Sequence, residues 1–241
     1  MSVLVVTGTD TGVGKTIVTA AVAAIAAVRG GTVAVVKAAQ TGVGPGDPGD
    51  LDDVRRLAGV TALHEYARYP APLSPAAASR VSGLPPVDLY GVADRVRTIA
   101  KETDLVVVEG AGGLLVRFDE DGTTIADLAH ELRAGVLVVT RPDLGTLNHT
   151  ALTLESMAHR GVDLVGVVIG SWPDEPDLAM RCNVRDLETL SARPLAGVVR
   201  AGAGSLHPAD FLLTARASLA PALGGTFDAA AFRAIQDPTA R

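Results

Sequence analysis

Short apolar runs rich in β-branched residues alternate along the chain with longer segments whose apolar positions recur at helical spacing. The runs Val3–Thr7, Thr32–Lys37, Leu105–Glu109, Val136–Thr140, Leu164–Ile169 and Leu195–Val199 are nearly continuous rather than alternating, as expected for strands buried on both faces. Between them, Lys15–Arg29, Leu51–Leu57, Leu89–Lys101, Thr124–Leu132, Thr146–His159, Leu178–Leu190 and Pro208–Leu219 carry helical patterns. This alternation predicts an α/β fold, a mostly parallel sheet with helices on both faces. The Gly/Pro/Asp-rich stretch Gly42–Gly49 reads as a mobile loop. Prolines 70, 72, 75, 85 and 86 leave room for only a short helix around Ala76–Val81. Beyond Pro221 the strand signal is lost, so 221–241 is expected to be a surface tail with a helical turn or two near Ala229–Ile235. No repeat or linker divides what precedes it, and residues 1–220 read as one domain.

Composition narrows the picture. The chain has 241 residues, 48% of them hydrophobic, enough for a sizeable core. Aromatics are only 3%, so that core is made of Ala, Val and Leu, and base-stacking platforms are not expected. A net charge of −6 argues against a nucleic-acid-binding face. The longest apolar stretch, Ile17–Val28, is too short to span a bilayer, and no basic segment with a cleavage site precedes the first strand. One cysteine, Cys182, excludes an intrachain disulfide and a thiolate metal cluster. A cytoplasmic protein with neither membrane nor nucleic-acid partner is expected.

The chemistry concentrates at strand ends. Gly8-Thr9-Asp10-Thr11-Gly12-Val13-Gly14-Lys15-Thr16 follows the first strand and opens the first helix. Glycines let successive N–H groups turn toward an anion, and the helix N-terminus adds partial positive charge. In such a phosphate loop the lysine reaches the β/γ-phosphates and the hydroxyl ligates Mg²⁺. Five residues separate Gly8 from Gly14 where the usual motif has four. Glu109 ends its strand before Gly110-Ala111-Gly112-Gly113, at the carboxyl edge where ligands of open sheets bind. A P-loop site needs such a carboxylate for its metal. Asp50, Asp52 and Asp53 open the helix after the loop; at least one should cap it, and spacing does not choose which faces a metal. Lys37 ends the second strand, placed to neutralise a transferring phosphoryl group or a carbamate. Thr41, four residues on, is a candidate for the same ligand.

Together, the phosphate loop, Lys37 with Gln40-Thr41-Gly42, Val108-Glu109-Gly110-Ala111-Gly112-Gly113 and Asp143-Leu144-Gly145-Thr146-Leu147-Asn148-His149-Thr150 resemble the dethiobiotin synthetase family over roughly residues 1–220. That resemblance implies a P-loop NTPase-like domain and an ATP- and Mg²⁺-dependent ligase. The implied reaction turns 7,8-diaminopelargonate and CO2 into a carbamate, phosphorylates it and closes a ureido ring. It implies that Gly12, Val13, Gly14, Lys15, Thr16, Ile17, Gly110, Ala111 and Gly112 surround the nucleotide. Thr16, Asp50 and Glu109 would hold Mg²⁺, the family pattern selecting Asp50 over Asp52 and Asp53. Thr11, Lys15 and Lys37 would be catalytic, and Thr41 would contact substrate. Leu144, Gly145, Thr146, Leu147 and Asn148 would bind the substrate carboxylate across a homodimer.

Three positions depart from the family pattern. Ala38 stands where proline is usual after the lysine, Gly170-Ser171-Trp172-Pro173 where an Asn-Asp pair reads adenine, and Val199-Arg200-Ala201-Gly202-Ala203 where a proline-containing base contact is usual. Gly170, Ser171, Arg200, Ala201 and Gly202 are expected to line the base pocket by position, leaving base preference open. The alternative, a partitioning-type P-loop ATPase switch, normally carries a signature lysine at the start of its loop, where this chain has Gly8-Thr9-Asp10.

Overall fold

The computed structural model describes residues 2–239. In chain order its elements are β1 (Ser2–Gly8), α1 (Lys15–Val28), β2 (Val33–Lys37), β3 (Gln40–Thr41), α2 (Asp50–Ala58), β4 (Ala62–Glu65), β5 (Arg68–Tyr69), α3 (Pro75–Ser82) and α4 (Leu89–Ile99). They continue as β6 (Leu105–Gly113), α5 (Ile125–Leu132), β7 (Gly135–Thr140), α6 (Thr146–His159), β8 (Leu164–Trp172), α7 (Leu178–Ser191), β9 (Gly197–Arg200), α8 (Pro208–Ser218) and α9 (Ala229–Gln236). Seven strands form one sheet in the order β4-β2-β6-β1-β7-β8-β9, with every named pairing parallel, and β3 and β5 make a small second sheet.

Strand side chains alternate between two apolar layers. Val5, Val106, Val108, Val136, Val138, Val167 and Ile169 face one layer, completed by α4, α5, α6 and α7. Leu4, Val6, Val107, Leu137, Val139 and Val168 face the other, completed by α1, α2 and α8. Both faces are therefore dry, which is why the strands read as unbroken apolar runs. Parallel register then aligns the carboxyl ends: Lys37 of β2 pairs with Glu109 of β6, and Val6 of β1 pairs with the same glutamate. The functional side chains meet at this edge.

Four expectations need correction. β4 and the β3–β5 pair are additional: Ala62-Leu63-His64-Glu65 is a half-buried edge strand too polar and short to stand out. β8 runs on through Gly170, Ser171 and Trp172, so these residues lie in the strand rather than after it. β9 begins at Gly197, two residues later than expected. The Gly42–Gly49 loop is tethered, since the Arg68 guanidinium donates to the Gly44 and Asp47 carbonyls at 3.2 and 2.7 Å. The segment after Pro221 keeps its expected helix as α9, and it docks by aromatic side chains: Phe227 is buried and Phe232 packs on Trp172.

Candidate active site

The phosphate loop wraps from β1 into α1. Gly12 and Gly14 have φ of +72° and +99°, a region that side chains rarely adopt. A Cβ at Gly14 would also lie 2.6 Å from the Gly170 carbonyl oxygen, so the loop rests directly on the end of β8. Inside the loop the Lys15 ammonium donates to the Asp10 carbonyl at 2.9 Å. Burial, followed by the nearby charge of Lys37, pulls Lys15 from 10.5 down to about 8, against the opposing pull of Glu109, Asp50 and Asp10.

Lys37 is the hub of the edge. Its ammonium donates to Asp50 Oδ2 at 2.5 Å, to Glu109 Oε1 at 2.7 Å and to the Gly110 carbonyl at 3.1 Å, using all three protons. Burial opposes its charge, but Glu109 and Asp50 outweigh that penalty and hold its pKa above the ordinary lysine value. Burial likewise works against the Asp50 carboxylate, and Lys37 overrides it, keeping that carboxyl below its ordinary range. Thr16 Oγ1 donates to Glu109 Oε1 at 2.9 Å.

The geometry separates the three aspartates. Gln40 Oε1 accepts from the Asp50 N–H at 2.9 Å, which seats the start of α2 against β3 and turns Asp50 toward Lys37. Asp52 accepts from the Gly49 N–H at 2.8 Å, closing the first turn, and Asp53 pairs with Arg56 in solvent. Gly49 is the N-cap of α2, and Asp52, at the third helical position, is the aspartate that ties that cap down.

A cavity of about 630 Å³ opens over this edge. Thr11, Gly12, Gly14, Lys15, Thr16 and Ile17 line its phosphate-loop side, and Lys37, Asp50, Glu109, Ala111 and Gly112 line its floor. Thr41 and Gln40 of β3 face Pro72–Pro75 on the remaining side. Val13 is buried behind the loop, and Gly110 enters only through the carbonyl that accepts from Lys37. Gly170, Ser171, Arg200, Ala201 and Gly202 do not line this cavity; Gly170 lies against Val13 and Gly14 of the loop, and Gly204, two residues past Gly202, meets the Ile17 side chain. Leu144, Gly145, Thr146, Leu147 and Asn148 are also outside it, at the start of α6 across the loop.

The connection to α6 is a chain of hydroxyls. Thr140 Oγ1 lies 3.2 Å from that of Thr9, 2.7 Å from that of Thr146 and 3.0 Å from that of Thr150. Arg141, not singled out from the sequence, adds a second tie: its guanidinium meets Asp10 Oδ2 at 2.6 Å and the Thr11 carbonyl at 3.2 Å. A lone arginine after an apolar run carries no signal of its partner. The short helix expected around Ala76–Val81 is α3, and Ser74 and Pro75 at its start also form a wall of the cavity, which local pattern did not reveal.

The donor set suits a hard cation. Glu109 Oε2 is buried without a hydrogen-bond partner, the Asp50 side chain is partly exposed, and Thr16 offers a hydroxyl. Among the described residues no three His, Cys, Asp or Glu converge to hold a metal unaided. Two carboxylates and a hydroxyl fit Mg²⁺, which takes one or two carboxylates and completes its shell with phosphates and water.

A family model described as "AAA domain" matches residues 2–203. The chain is 66% identical to the ATP-dependent dethiobiotin synthetase BioD of Frankia casuarinae, covering 97% of this chain and 98% of that one. It is 58% identical to the protein of that name from Streptomyces coelicolor, covering 96% and 98%. The chain belongs to the ATP-dependent dethiobiotin synthetases. A dethiobiotin synthetase is a ligase of biotin biosynthesis that consumes ATP and acts on a diamino substrate. Solved structures similar to this synthetase include a ParA family ATPase from Chlorobium tepidum (TM-score 0.55, 15% identity, covering 92% and 95%) and the MinD cell division protein of Aquifex aeolicus (TM-score 0.53, 16% identity, covering 83% and 82%). Identity that low shows the P-loop NTPase fold alone. The switch reading is not favoured, because the full-length relatives are synthetases. Among the described residues no helix is long and apolar enough to cross a membrane.

Proposed function

We propose that the chain closes a ureido ring on 7,8-diaminopelargonate with CO2, a nucleoside triphosphate and Mg²⁺. The observation that carries this reading is the Lys37–Asp50–Glu109–Thr16 cluster on the floor of a cavity walled by the phosphate loop. One substrate amine adds to CO2, forming a C–N bond and releasing a proton. A carbamate oxygen then attacks the γ-phosphorus as the bond to ADP breaks. The second amine attacks the carbamate carbon, phosphate leaves, and the ring closes.

Each step asks for charge held still, which this site supplies. Lys37, fixed by two carboxylates, stabilises the carbamate oxygens and the transferring phosphoryl group. Lys15, lowered to about 8 in the free protein, becomes fully charged once phosphates enter beside it. Thr11 hydrogen-bonds the same oxygens, and the N–H groups of Gly12–Ile17 cradle the phosphate chain. Thr16, Asp50 and Glu109 would hold Mg²⁺, which supplies neutralisation of charge building on the phosphate oxygens. Thr41, with the Pro72–Pro75 wall, holds the diamine.

Gly170-Ser171 and Arg200–Gly202 frame the base without an amide side chain to read it, so discrimination among bases is weak. Leu144–Asn148 completes the crevice of a second copy in a homodimer. Leu144 is 86% exposed, and Leu152 at 57% and Leu115 at 48% share one cleft beside α6, exposed apolar surface that suits a two-fold contact. The protein works in the cytoplasm, without nucleic acid or membrane. The test is coupling: ADP release should require both diamine and bicarbonate. Equal release without either substrate refutes the assignment and points to a free-standing ATPase.

A further inference from the structure

Aromatic residues are only 3% of this chain, yet Trp172, Phe227 and Phe232 gather at one place. Trp172, the single tryptophan, ends β8, and Phe232 of α9 meets its indole edge-on with ring centroids 5.2 Å apart. Phe227 backs Phe232 at 5.5 Å. The same tryptophan ties two strand ends together: its carbonyl accepts from the Ala201 N–H at 2.7 Å, and it stands opposite Arg200 after the β8–β9 register slips past Ile169. The ladder is irregular between Ile169 and Trp172, and the pair Trp172–Arg200 is where the two strand tips rejoin.

α9 is bolted down on either side of the aromatic contact. Arg233 donates to Glu188 Oε2 at 2.5 Å, and the other oxygen of that buried glutamate accepts from the Leu195 N–H at 3.0 Å, on the approach to β9. Arg181 of α7 donates to the Gln236 carbonyl at 3.1 Å. The last helix thus grips α7, the entry to β9 and the end of β8 together.

We propose that the C-terminal segment 221–236 is a positioning element for nucleotide recognition. Through Phe232 and Trp172 it sets the spacing between Gly170-Ser171 and Arg200–Gly202. The inference rests on the reading that those residues frame the base. It assigns Phe232 no contact with nucleotide, only control of a wall that makes that contact.

The experiment compares a nucleoside triphosphate with inorganic tripolyphosphate, which carries the phosphates but no base. Full-length Phe232→Ala should bind ATP about three- to tenfold more weakly, the scale of one lost aromatic pair. Its tripolyphosphate affinity should stay within about twofold, because the phosphate loop is untouched. The ATP KM should rise with kcat retained, and Phe232→Leu should restore most of the affinity by refilling the contact. Equal weakening toward both ligands, or a lower melting temperature with ATP affinity unchanged, overturns the proposal. Ser171→Phe and Ala201→Phe separate the two readings. If neither moves the ratio of ATP to tripolyphosphate affinity, the base-site reading fails and the proposal falls with it. If they move it and Phe232→Ala does not, the proposal alone is overturned.

Discussion

Replacing Lys15 with methionine should stabilise the free protein while destroying its activity. The ammonium is buried against the Asp10 carbonyl, and burial together with Lys37 lowers it from 10.5 to about 8. At about 1.4 kcal/mol per pH unit, that difference is on the order of 3 kcal/mol of folding free energy spent on holding the charge. Below pH 8 the folded and unfolded chains both carry the proton, and the cost is present in full. Between about 8 and 10.5 the unfolded chain binds more protons, so stability rises with pH until the cost has gone. Methionine keeps the stem in place and removes the charge, at the loss of one hydrogen bond worth about 1 kcal/mol. The net gain expected at pH 7 is about 2 kcal/mol, shrinking as pH rises. Urea unfolding of both proteins at pH 7, 8, 9 and 10, read as the difference between them, measures it. Turnover of the variant should fall by on the order of 10²-fold or more, given the role proposed for this ammonium in meeting the phosphates. A variant less stable than its parent at pH 7, or a difference that does not change with pH, refutes the reasoning.

Other consequences follow from the same edge. Lys37→Ala leaves Asp50 and Glu109 facing each other without their cation, so the free protein should lose about 3–5 kcal/mol and most turnover. Added Mg²⁺ should raise its melting temperature more than it raises that of the parent, and an equal response would contradict the charge argument. For base selectivity, kcat/KM with ATP, CTP and GTP should lie within about tenfold of one another, because no side-chain amide reads the base edge; a strong preference for ATP counts against the proposed base wall. Mixing Lys37→Ala with Leu147→Arg, each inactive alone and confirmed to exchange subunits, should restore activity in crevices built from one intact residue of each chain. A dead mixture places Leu147 and Lys37 in the same chain's site and removes the shared crevice.

Much of this was readable before the structure, for a physical reason. β1, β6, β7 and β8 are buried on both faces, so their apolar runs are unbroken, whereas the edge strand β4 mixes Leu63 with His64 and Glu65. Lys37 and Glu109 were each legible as polar residues ending apolar strands. Their pairing was not, because the order β2-β6-β1 joins strands distant in the chain. Helical spacing left Asp50, Asp52 and Asp53 equivalent; the Gln40 amide and the Lys37 ammonium distinguish them. Arg141 and the aromatic dock of α9 depend on partners more than fifty residues away, and local pattern carries no trace of such contacts.

The central claim is that one site joins CO2 to two amines at the expense of a phosphoryl transfer. Its most direct test incubates the protein with 7,8-diaminopelargonate, Mg²⁺, ATP and ¹³C-bicarbonate, and follows the product by mass spectrometry alongside ADP. The account predicts dethiobiotin carrying the label at its ureido carbon, formed one for one with ADP and lost in Lys37→Ala. ADP formed without labelled dethiobiotin would contradict it.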